Sequence, residues 1–384
     1  RDLELLALLG LEDPPRPGAR DAVAACRRAG VAVAMVTGDH PGTAAAIAEE
    51  VGLLDAGGTV VTVAELPADD EALGRLLEKG GVVVARVDPE DKLRIARAQQ
   101  RRGHVVAMTG DGVNDGPALQ EADIGIAMGA SGSDVARDAS DLVLLDDDFA
   151  TVVAAIEQGR ATFLNIRRFL TYHLTDNVAE LTPLLVWALS GTQFPLALGV
   201  LQILALDLAT DTLSAVALGA ERAGPRTLEQ PPVTGRLLDR TVAVRAFGVL
   251  GPTEAAFGMA AFLATLAAGG WRPGEAFPSG GPLLAASGAY FLTIVTAQSA
   301  NAFACRSATV SPWRLGWLGN RLLVAAVAVE AAAALALLYV PPVADALGHA
   351  GPGWAGWAVA LLAIPGVLAA DAAQKALARR RRRG

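Results

Sequence analysis

The stretch from 105 to 119, VVAMTGDGVNDGPAL, runs from an apolar segment into Thr109, Gly110, Asp111, Gly112, Val113, Asn114 and Asp115. Glycines between a strand and a helix let the backbone approach an anion or metal closely, and Asp111 offers the oxygen chemistry that suits a hard cation such as Mg2+. Asn114 and Asp115 fall on the first helical turn, where capping is the plainer reading. Nothing in the turn is an obvious nucleophile. The same device recurs at 34–52, AMVTGDHPGTAAAIAEEVG, which places Thr37, Gly38 and Asp39 between an apolar run and a helix-like segment. Asp39 before Pro41 is by itself a good helix start. Lys92, in VDPEDKLRIARAQ, reads equally as a solvated helix lysine.

The elements that must position these residues are short β-rich runs at 31–36, 81–87, 104–108, 124–128 and 142–145, alternating with helix-like segments. That pattern predicts a mainly parallel sheet with helices on both faces. Both Thr-Gly-Asp loops then lie at carboxyl ends of strands, where open α/β sheets bind ligands. From about residue 160 the chain becomes a series of long apolar segments. Spans are predicted near 162–189, 196–218, 242–268, 283–304, 319–341 and 353–373, at about 20 residues each. With the first half inside, the inner loops hold Arg222, Arg226, Arg236, Arg240, Arg306, Arg314 and Arg321, and the outer loops only Arg272, as the positive-inside rule requires. The expected domains are therefore 1–155 in the cytoplasm, six membrane helices over 156–376 and a basic cytoplasmic tail at 377–384.

Composition agrees. The chain has 384 residues and is 52% hydrophobic, too apolar for an ordinary soluble protein. Residues 1–155 carry 14 Lys and Arg against 27 Asp and Glu, and 156–384 carry 18 against 13. The acidic first half argues against a nucleic-acid partner. Cys26 and Cys305 are isolated, which indicates neither a disulfide framework nor a zinc site. The chain starts with Arg1 and enters LELLALLGL at once, as a chain cut from something longer would.

The apolar half carries charges of its own. YHLTDNVAELTP sets Asn177 and Glu180 on one helical face, and ILALDLATDTLSAVALG sets Asp207, Thr210 and Asp211 on another. A carboxylate near a bilayer centre costs about 2.5–3.5 kcal/mol, so Glu180, Asp207 and Asp211 are expected to face one another, water or an ion. Asp176 reads as an interfacial residue. Pro183 and the Ala-Thr and Asp-Thr pairs suit bent or interrupted helices, whose freed carbonyls add oxygen ligands. Glu330 reads as an interhelical hydrogen bond or a further polar site. The four histidines are scattered and receive no role.

DPPRPGARDAVAACRRAGVAVAMVTGDHPGTAAAIAEEVGLL, ARVDPEDKLRIARAQ, GHVVAMTGDGVNDGPALQEADIGIAMG and SDVARDASDLVLLDDDFATVVAAIEQGR together resemble the phosphorylation domain of P-type cation-transporting ATPases. The resemblance runs from about residue 3 to the end of the chain. It implies an α/β haloacid-dehalogenase-like, Rossmann-type partial domain followed by an all-α six-helix transmembrane bundle. It implies Asp111 as an Mg2+ ligand, Asn114 and Asp115 as completing the phosphate and metal site, and Lys92 as neutralising the transferred phosphoryl group. Thr37, Gly38 and Asp39 would form the loop that contacts that group. By the same resemblance, Asn177, Glu180, Asp207, Thr210 and Asp211 bind the transported cation, either Ca2+ or a monovalent ion such as Na+ or K+. Asn301, in QSANAFACRS, stands where the family usually has an acid, and Gly116 where it usually has Ala. The family's nucleophile, the Asp of Asp-Lys-Thr-Gly-Thr, is absent: the one Asp-Lys pair, Asp91-Lys92, is followed by Leu93.

These features lead us to expect the carboxyl-terminal part of an ATP-driven pump in the plasma membrane, multi-pass, with both termini cytoplasmic. Its partners would be an inorganic cation, the lipid bilayer and an amino-terminal half carrying the nucleophile and the nucleotide domain. By itself the chain is expected to be inactive. The competing expectation is a non-enzymatic, truncated membrane protein that binds ions or a pump half.

Overall fold

The computed structural model describes residues 7, 14–55, 58–224, 227–229 and 235–381. Most of the apolar run at 3–11, Arg226 and the last three residues of the basic tail lie outside these ranges. The chain forms two compact units, one of residues 1–160 with 223–233 and one of 161–222 with 234–384.

The first unit is built on two parallel three-stranded sheets. One has β1 (Ala34–Val36), β2 (Thr59–Thr62) and β3 (Val82–Ala85) in the order β1-β3-β2. The other has β4 (Ala107–Gly110), β5 (Ile124–Met128) and β6 (Leu142–Leu144) in the order β4-β5-β6. The helices that follow or link the strands are α1 (Ala19–Arg28), α2 (Pro41–Glu50), α3 (Asp70–Glu78), α4 (Pro89–Arg101), α5 (Gly116–Glu121) and α6 (Asp134–Asp138). The expected strand positions hold, though β1 and β4 start later than their apolar runs. β2 is an addition. TVVT is short and begins and ends in threonine, so it gives little hydrophobic signal, yet it pairs in parallel with β3 from Thr59 to Thr62.

β3 shows why the first sheet forms. All four of its residues are buried, as a continuous apolar run covered on both faces must be. Its period of two splits them: Val83 and Ala85 pack with Val23, Ala44 and Ala48, while Val82 and Val84 pack with Leu73, Leu77 and Ile95. In the second sheet Ile126 and Met128 meet Leu144 and Val152, and Ala127 meets Leu119 and Ala136. Among the described residues β1 and β4 each have one unpaired edge, which leaves backbone N–H and C=O groups open to another strand.

The second unit is helical. A helix of 41 residues, α7 (Phe149–Leu189), gives its residues from Ala161 onward to this unit. Five further helices are long and apolar enough to cross a membrane: Val200–Gly219, Arg240–Ala268, Gly281–Cys305, Arg321–Tyr339 and Trp354–Arg380. The expected first span, 162–189, lies within α7, whose His173, Asp176 and Glu180 make it less apolar than the rest. Helix 281–305 is the most enclosed, with 72% of its most apolar window buried. Tyr290, Phe291 and Ile294 on it pack with Phe262 and Leu206 in the largest apolar cluster.

Two outcomes test this packing. A Cβ at Gly125 would lie 2.4 Å from the Leu119 carbonyl oxygen, so Gly125→Ala is expected to lower stability by about 1–3 kcal/mol, the scale of core overpacking, in denaturant unfolding followed by circular dichroism. At the end of α3, Glu78 accepts from Arg102 Nε at 2.6 Å and sits 2.6 Å from His104 Nε2. The Arg102 and His104 hydrogen bonds push its pKa down to about 2. Because the folded value is depressed, its contribution is full above about 4.5, its ordinary value, and fades as pH falls toward 2. Glu78→Gln should flatten the acid limb of a stability–pH curve in that window, by a small amount because the pair faces solvent.

Candidate functional site

In the first unit both Thr-Gly-Asp loops leave the carboxyl ends of edge strands. After β1, the Thr37 N–H donates to Val84 O at 2.9 Å and the Val87 N–H to Thr37 O at 3.0 Å, which ties the loop to the end of β3. Thr37 Oγ1 donates to Asp39 Oδ2 at 3.0 Å. Arg86, a non-glycine residue at φ 60, donates its N–H to Asp39 O at 3.2 Å, and such strained residues persist only where their surroundings fix them. Asp39 does not cap α2. His40 does, its Nδ1 accepting the Gly42 N–H at 3.2 Å.

α4 starts two residues after Val87, its first turn fixed by Asp91 accepting the Asp88 N–H at 3.1 Å. One turn on, Lys92 Nζ donates to Asp115 Oδ1 at 2.5 Å. Asp115 Oδ2 in turn accepts the N–H groups of Asp111 at 3.3 Å and Gly112 at 3.1 Å. Asp115 thus folds back onto the end of β4 and makes no side-chain cap to α5. This close return needs a residue without a side chain at Gly110, where a Cβ would lie 2.5 Å from Asp115 Cβ. At Gly116 a Cβ would have its nearest neighbour at 3.4 Å, so the alanine usual in the resembling family would fit.

Asp111 remains available. Its side chain is 59% exposed and its closest cation, Arg16 Nη2, is 3.8 Å away. Arg16 is held elsewhere, by Asp147 O at 2.9 Å and Ser131 Oγ at 2.8 Å. Asp147 beside it is held below the usual carboxylate range, chiefly by its hydrogen bond from Ser131. Sequence reading assigned Arg16 no role, though it lies inside the DPPRP motif. Asn114 is exposed on the same turn. Among the described residues no three Asp, Glu, His or Cys side chains converge enough to chelate a metal. Mg2+, however, commonly takes one or two carboxylates and fills the rest of its shell with water and phosphate oxygens. A free Asp111 next to an occupied Asp115 fits that mode.

In the second unit, α7 and helix 200–219 carry the acidic residues. Glu180 is buried and Oε1 accepts from Gln298 Nε2 at 3.0 Å. Asp211 is buried with Oδ2 2.9 Å from His173 Nδ1. Thr210 Oγ1 bonds its own helix, to Leu206 O at 2.9 Å, and Asn177 Nδ2 to His173 O at 3.0 Å. Asp207 is only partly buried. From Asp207 to Asp211 helix 200–219 widens into a π-helix, a local form often found at functional sites. The expected interruption is therefore a widening, and Thr212 Oγ1 takes the Asp207 carbonyl at 2.7 Å. Pro183, inside α7, has no N–H for the Ala179 carbonyl one turn back. The Tyr290 hydroxyl donates to that carbonyl at 2.7 Å.

Several residues stand differently from the sequence reading. Asp176, expected near the interface, is 1% exposed, with Oδ1 accepting from Asn301 Nδ2 at 3.2 Å. His173, given no role, pairs with Asp211. Glu330, by contrast, agrees with one of its two readings: it accepts from the Ser214 N–H and Oγ, each at 2.8 Å, as an interhelical hydrogen bond. Glu254 on helix 240–268 went unnoticed and is fully buried.

Comparison with known proteins places these features. A profile of haloacid dehalogenase-like hydrolases matches residues 1–123, and one described as "cation transporting ATPase, C-terminus" matches 195–377. A parallel α/β hydrolase-like domain followed by membrane-spanning helices defines the class. The chain is 43% identical over 354 residues to "Probable cation-transporting ATPase F" of Mycobacterium tuberculosis, a match covering 88% of this chain and 37% of that protein. It is 40% identical over 349 residues to "Calcium-transporting ATPase" of Bacillus subtilis, covering 89% and 37%. With "Sodium/potassium-transporting ATPase subunit alpha-4" of Homo sapiens it shares 41% over 301 residues, covering 71% and 29%. The chain belongs to the P-type cation-transporting ATPases, as their carboxyl-terminal portion, and is a multi-pass membrane protein.

If Asp111 is the free metal ligand, Asp111→Asn should weaken Mg2+ binding to the chain about tenfold or more, a loss seen even for indirect metal contacts. Titration calorimetry reads the affinity, and an unchanged melting temperature is expected because the side chain is exposed.

Proposed function

We propose that this chain supplies the magnesium and phosphate contacts, and the intramembrane cation ligands, of an ATP-driven cation pump working through an aspartyl phosphate. The observation that carries the reading is the Lys92–Asp115 contact at 2.5 Å. It brings an ammonium from the helix after β3 to the carboxyl end of β4 and leaves Asp111 free beside it. Phosphoryl transfer asks a protein mainly for such charge placement. Lys92 would neutralise phosphoryl oxygens, and Thr37, Gly38 and Asp39 would orient the group and the attacking water. Asp111 would hold Mg2+, with Asp115 and Asn114 fixing the loop around it. Bound there, Mg2+ would supply Lewis-acid neutralisation of the phosphoryl oxygens.

The 384 residues contain no Asp-Lys-Thr-Gly-Thr, so the phosphorylated aspartate must come from another segment. A strand carrying it would find the unpaired edges of β1 and β4. The matches span 37% of the first relatives' length, which accords with a nucleotide domain and an actuator domain lying in the remainder. In the membrane unit Asn177, Glu180, Asp207, Thr210 and Asp211 would bind the transported cation. The relatives named calcium-transporting and sodium/potassium-transporting both support a metal cation, Ca2+, Na+ or K+. The plasma membrane, with both termini cytoplasmic, is the placement the loop arginines favour. Absence of the nucleophile motif favours the second reading, a non-enzymatic ion-binding or pump-binding protein, for the chain by itself.

Incubated alone with radiolabelled ATP and Mg2+, the chain is expected to form no acid-stable phosphoenzyme. Joined to the segment of a relative that bears the Asp-Lys-Thr-Gly-Thr motif, it should form one, and Lys92→Ala should slow that step by about 10²–10³-fold. Phosphorylation of the chain alone, or indifference of the joined protein to Lys92→Ala, would sink the reading.

A further inference from the structure

Helix 321–339 runs out into Tyr339, Val340, Pro341 and Pro342. The Leu337 carbonyl would ordinarily bond the N–H four residues on, but that residue is Pro341, which has none. His349 supplies a donor instead: its Nε2 lies 3.1 Å from Leu337 O. A carbonyl only accepts, so Nε2 carries the hydrogen and Nδ1 is the bare nitrogen of a neutral ring. His349 is 2% exposed. Its ring stands edge-on to Phe291 with centroids 5.0 Å apart, and Nδ1 has no hydrogen-bond partner.

The segment that carries this ring is pinned to two further helices. A short helix, Pro341–Leu347, ends at Gly348, whose φ of 70 suits glycine. The Ala350 N–H donates to Leu284 O at 3.0 Å. A Cβ on Gly288 would lie 1.9 Å from Ala350 O, so the segment rests directly on helix 281–305. Gln202, in the first turn of helix 200–219, reaches Gly348 O at 3.5 Å while its Oε1 accepts the Gly199 N–H at 2.8 Å. None of these elements offers a counter-ion. The Tyr339 hydroxyl accepts from Trp357 Nε1 at 2.9 Å, and that of Tyr290 donates to Ala179 O. Asp345, on the short helix, is exposed, and among the described residues no charged group acts on His349.

We propose that His349 is a proton-operated latch: neutral, it holds residues 340–350 against helices 200–219 and 281–305, and a proton taken up at Nδ1 from water releases them. The step forms one N–H bond, breaks no covalent bond of the protein, and takes the ring from neutral to singly positive. The new N–H has no acceptor where it forms, and a buried charge without partners is unfavourable enough that the segment opens locally to bring it to water. Burial pushes the His349 pKa below its ordinary 6.5, against the smaller upward effect of the Leu337 bond. Opening restores the ordinary value. The open state therefore binds the proton more readily, so the closed segment is fully held above about 6.5 and loosens as pH falls below it. Through Gln202 the release reaches the start of the helix that bears Asp207, Thr210 and Asp211. On the topology proposed above, on which this last point alone rests, the latch reads the outer pH.

The test is hydrogen–deuterium exchange of the full chain in lipid nanodiscs, read by mass spectrometry at the backbone amides of 343–351 and corrected for the intrinsic effect of pH on exchange. Between about pH 7.5 and about pH 5.5 the opening of this segment should rise about tenfold, the slope of one proton. His349→Gln, whose amide can still donate to Leu337 O and does not titrate, should remove that rise and keep the protection seen at neutral pH. Should the variant fail to fold, exchange of the ring Cε1 hydrogen in the unmodified chain reads the His349 pKa directly. A value below 6.5 supports the latch, and one at or above 6.5 overturns it. Corrected exchange that is flat with pH, or a rise that persists in His349→Gln, also overturns it. Both readouts are local to His349, so they decide the matter whether or not the cation-ligand reading and the topology hold.

Discussion

The helical unit is governed by one constraint: among its described residues more carboxyl groups are buried than cations. Asp176, Glu180, Asp211, Glu254, Glu330 and Asp371 are all buried. Only Asp371 has full cations beside it, Arg245 and Lys375, with Lys375 Nζ 2.6 Å from Asp371 Oδ2. That cluster is closed. Lys375 also donates to Ala304 O and Val310 O at 3.0 Å, and Arg245 to Ala304 O at 3.1 Å, so the cations satisfy the Ala304 carbonyl at the end of helix 281–305 and the Val310 carbonyl in the segment after it. The remaining acids must make do with neutral donors. Glu180 has an amide, Glu330 a hydroxyl and a backbone N–H, and Asp211 an imidazole. Breaking such an arrangement by removing one partner leaves a buried charge, typically at a cost of about 3–5 kcal/mol.

The same constraint shapes the backbone. A helix that follows the regular pattern throughout has no carbonyls to spare, so oxygen chemistry in a membrane requires departures from it. Two departures sit beside the acids. Pro183 frees the Ala179 carbonyl, one residue before Glu180, and Tyr290 reaches across from helix 281–305 to take it. The π-helical stretch Asp207–Asp211 begins and ends on the two acids of its helix. Tyr290 also closes on Gly258 of helix 240–268, where a Cβ would lie 2.8 Å from its ring. One aromatic side chain thus sets the spacing of the helices that carry Glu180 and Glu254.

The motifs with a local physical signature were legible in the sequence. Short β-rich apolar runs between helix-like segments located five of the six strands, and the charges of the apolar half singled out Glu180 and Asp211, both of which are buried. What escaped depends on contacts between distant segments. Thr59–Thr62 is too short and polar to read as a strand without β3 beside it. Glu254 sits among Thr, Ala and Gly residues, in a stretch whose average is apolar, and nothing local marks it as buried. His173 is one of four scattered histidines in the sequence until Asp211, 38 residues on, comes within 2.9 Å of it. The burial of Asp176 went unread for a similar reason: its partner Asn301 is 125 residues away.

The α/β unit solves the converse problem. There water screens charge, so acids need not be paired, and what matters is which ones are left unpaired. Asp111 and Asp115 are four residues apart on one turn, yet their surroundings divide them completely. Asp115 is taken on one oxygen by Lys92 and on the other by two backbone N–H groups. Those same N–H groups hold the turn so that Asp111 points away with its carboxylate exposed. The glycine at 110 makes this possible, since any side chain there would occupy the place of Asp115. Fixing the loop with one carboxylate preorganises the other, and a preorganised charge needs little rearrangement when a metal and a phosphate arrive. Among the described acids buried in the helical unit none is left so open, because an unscreened charge cannot wait there for its ligand.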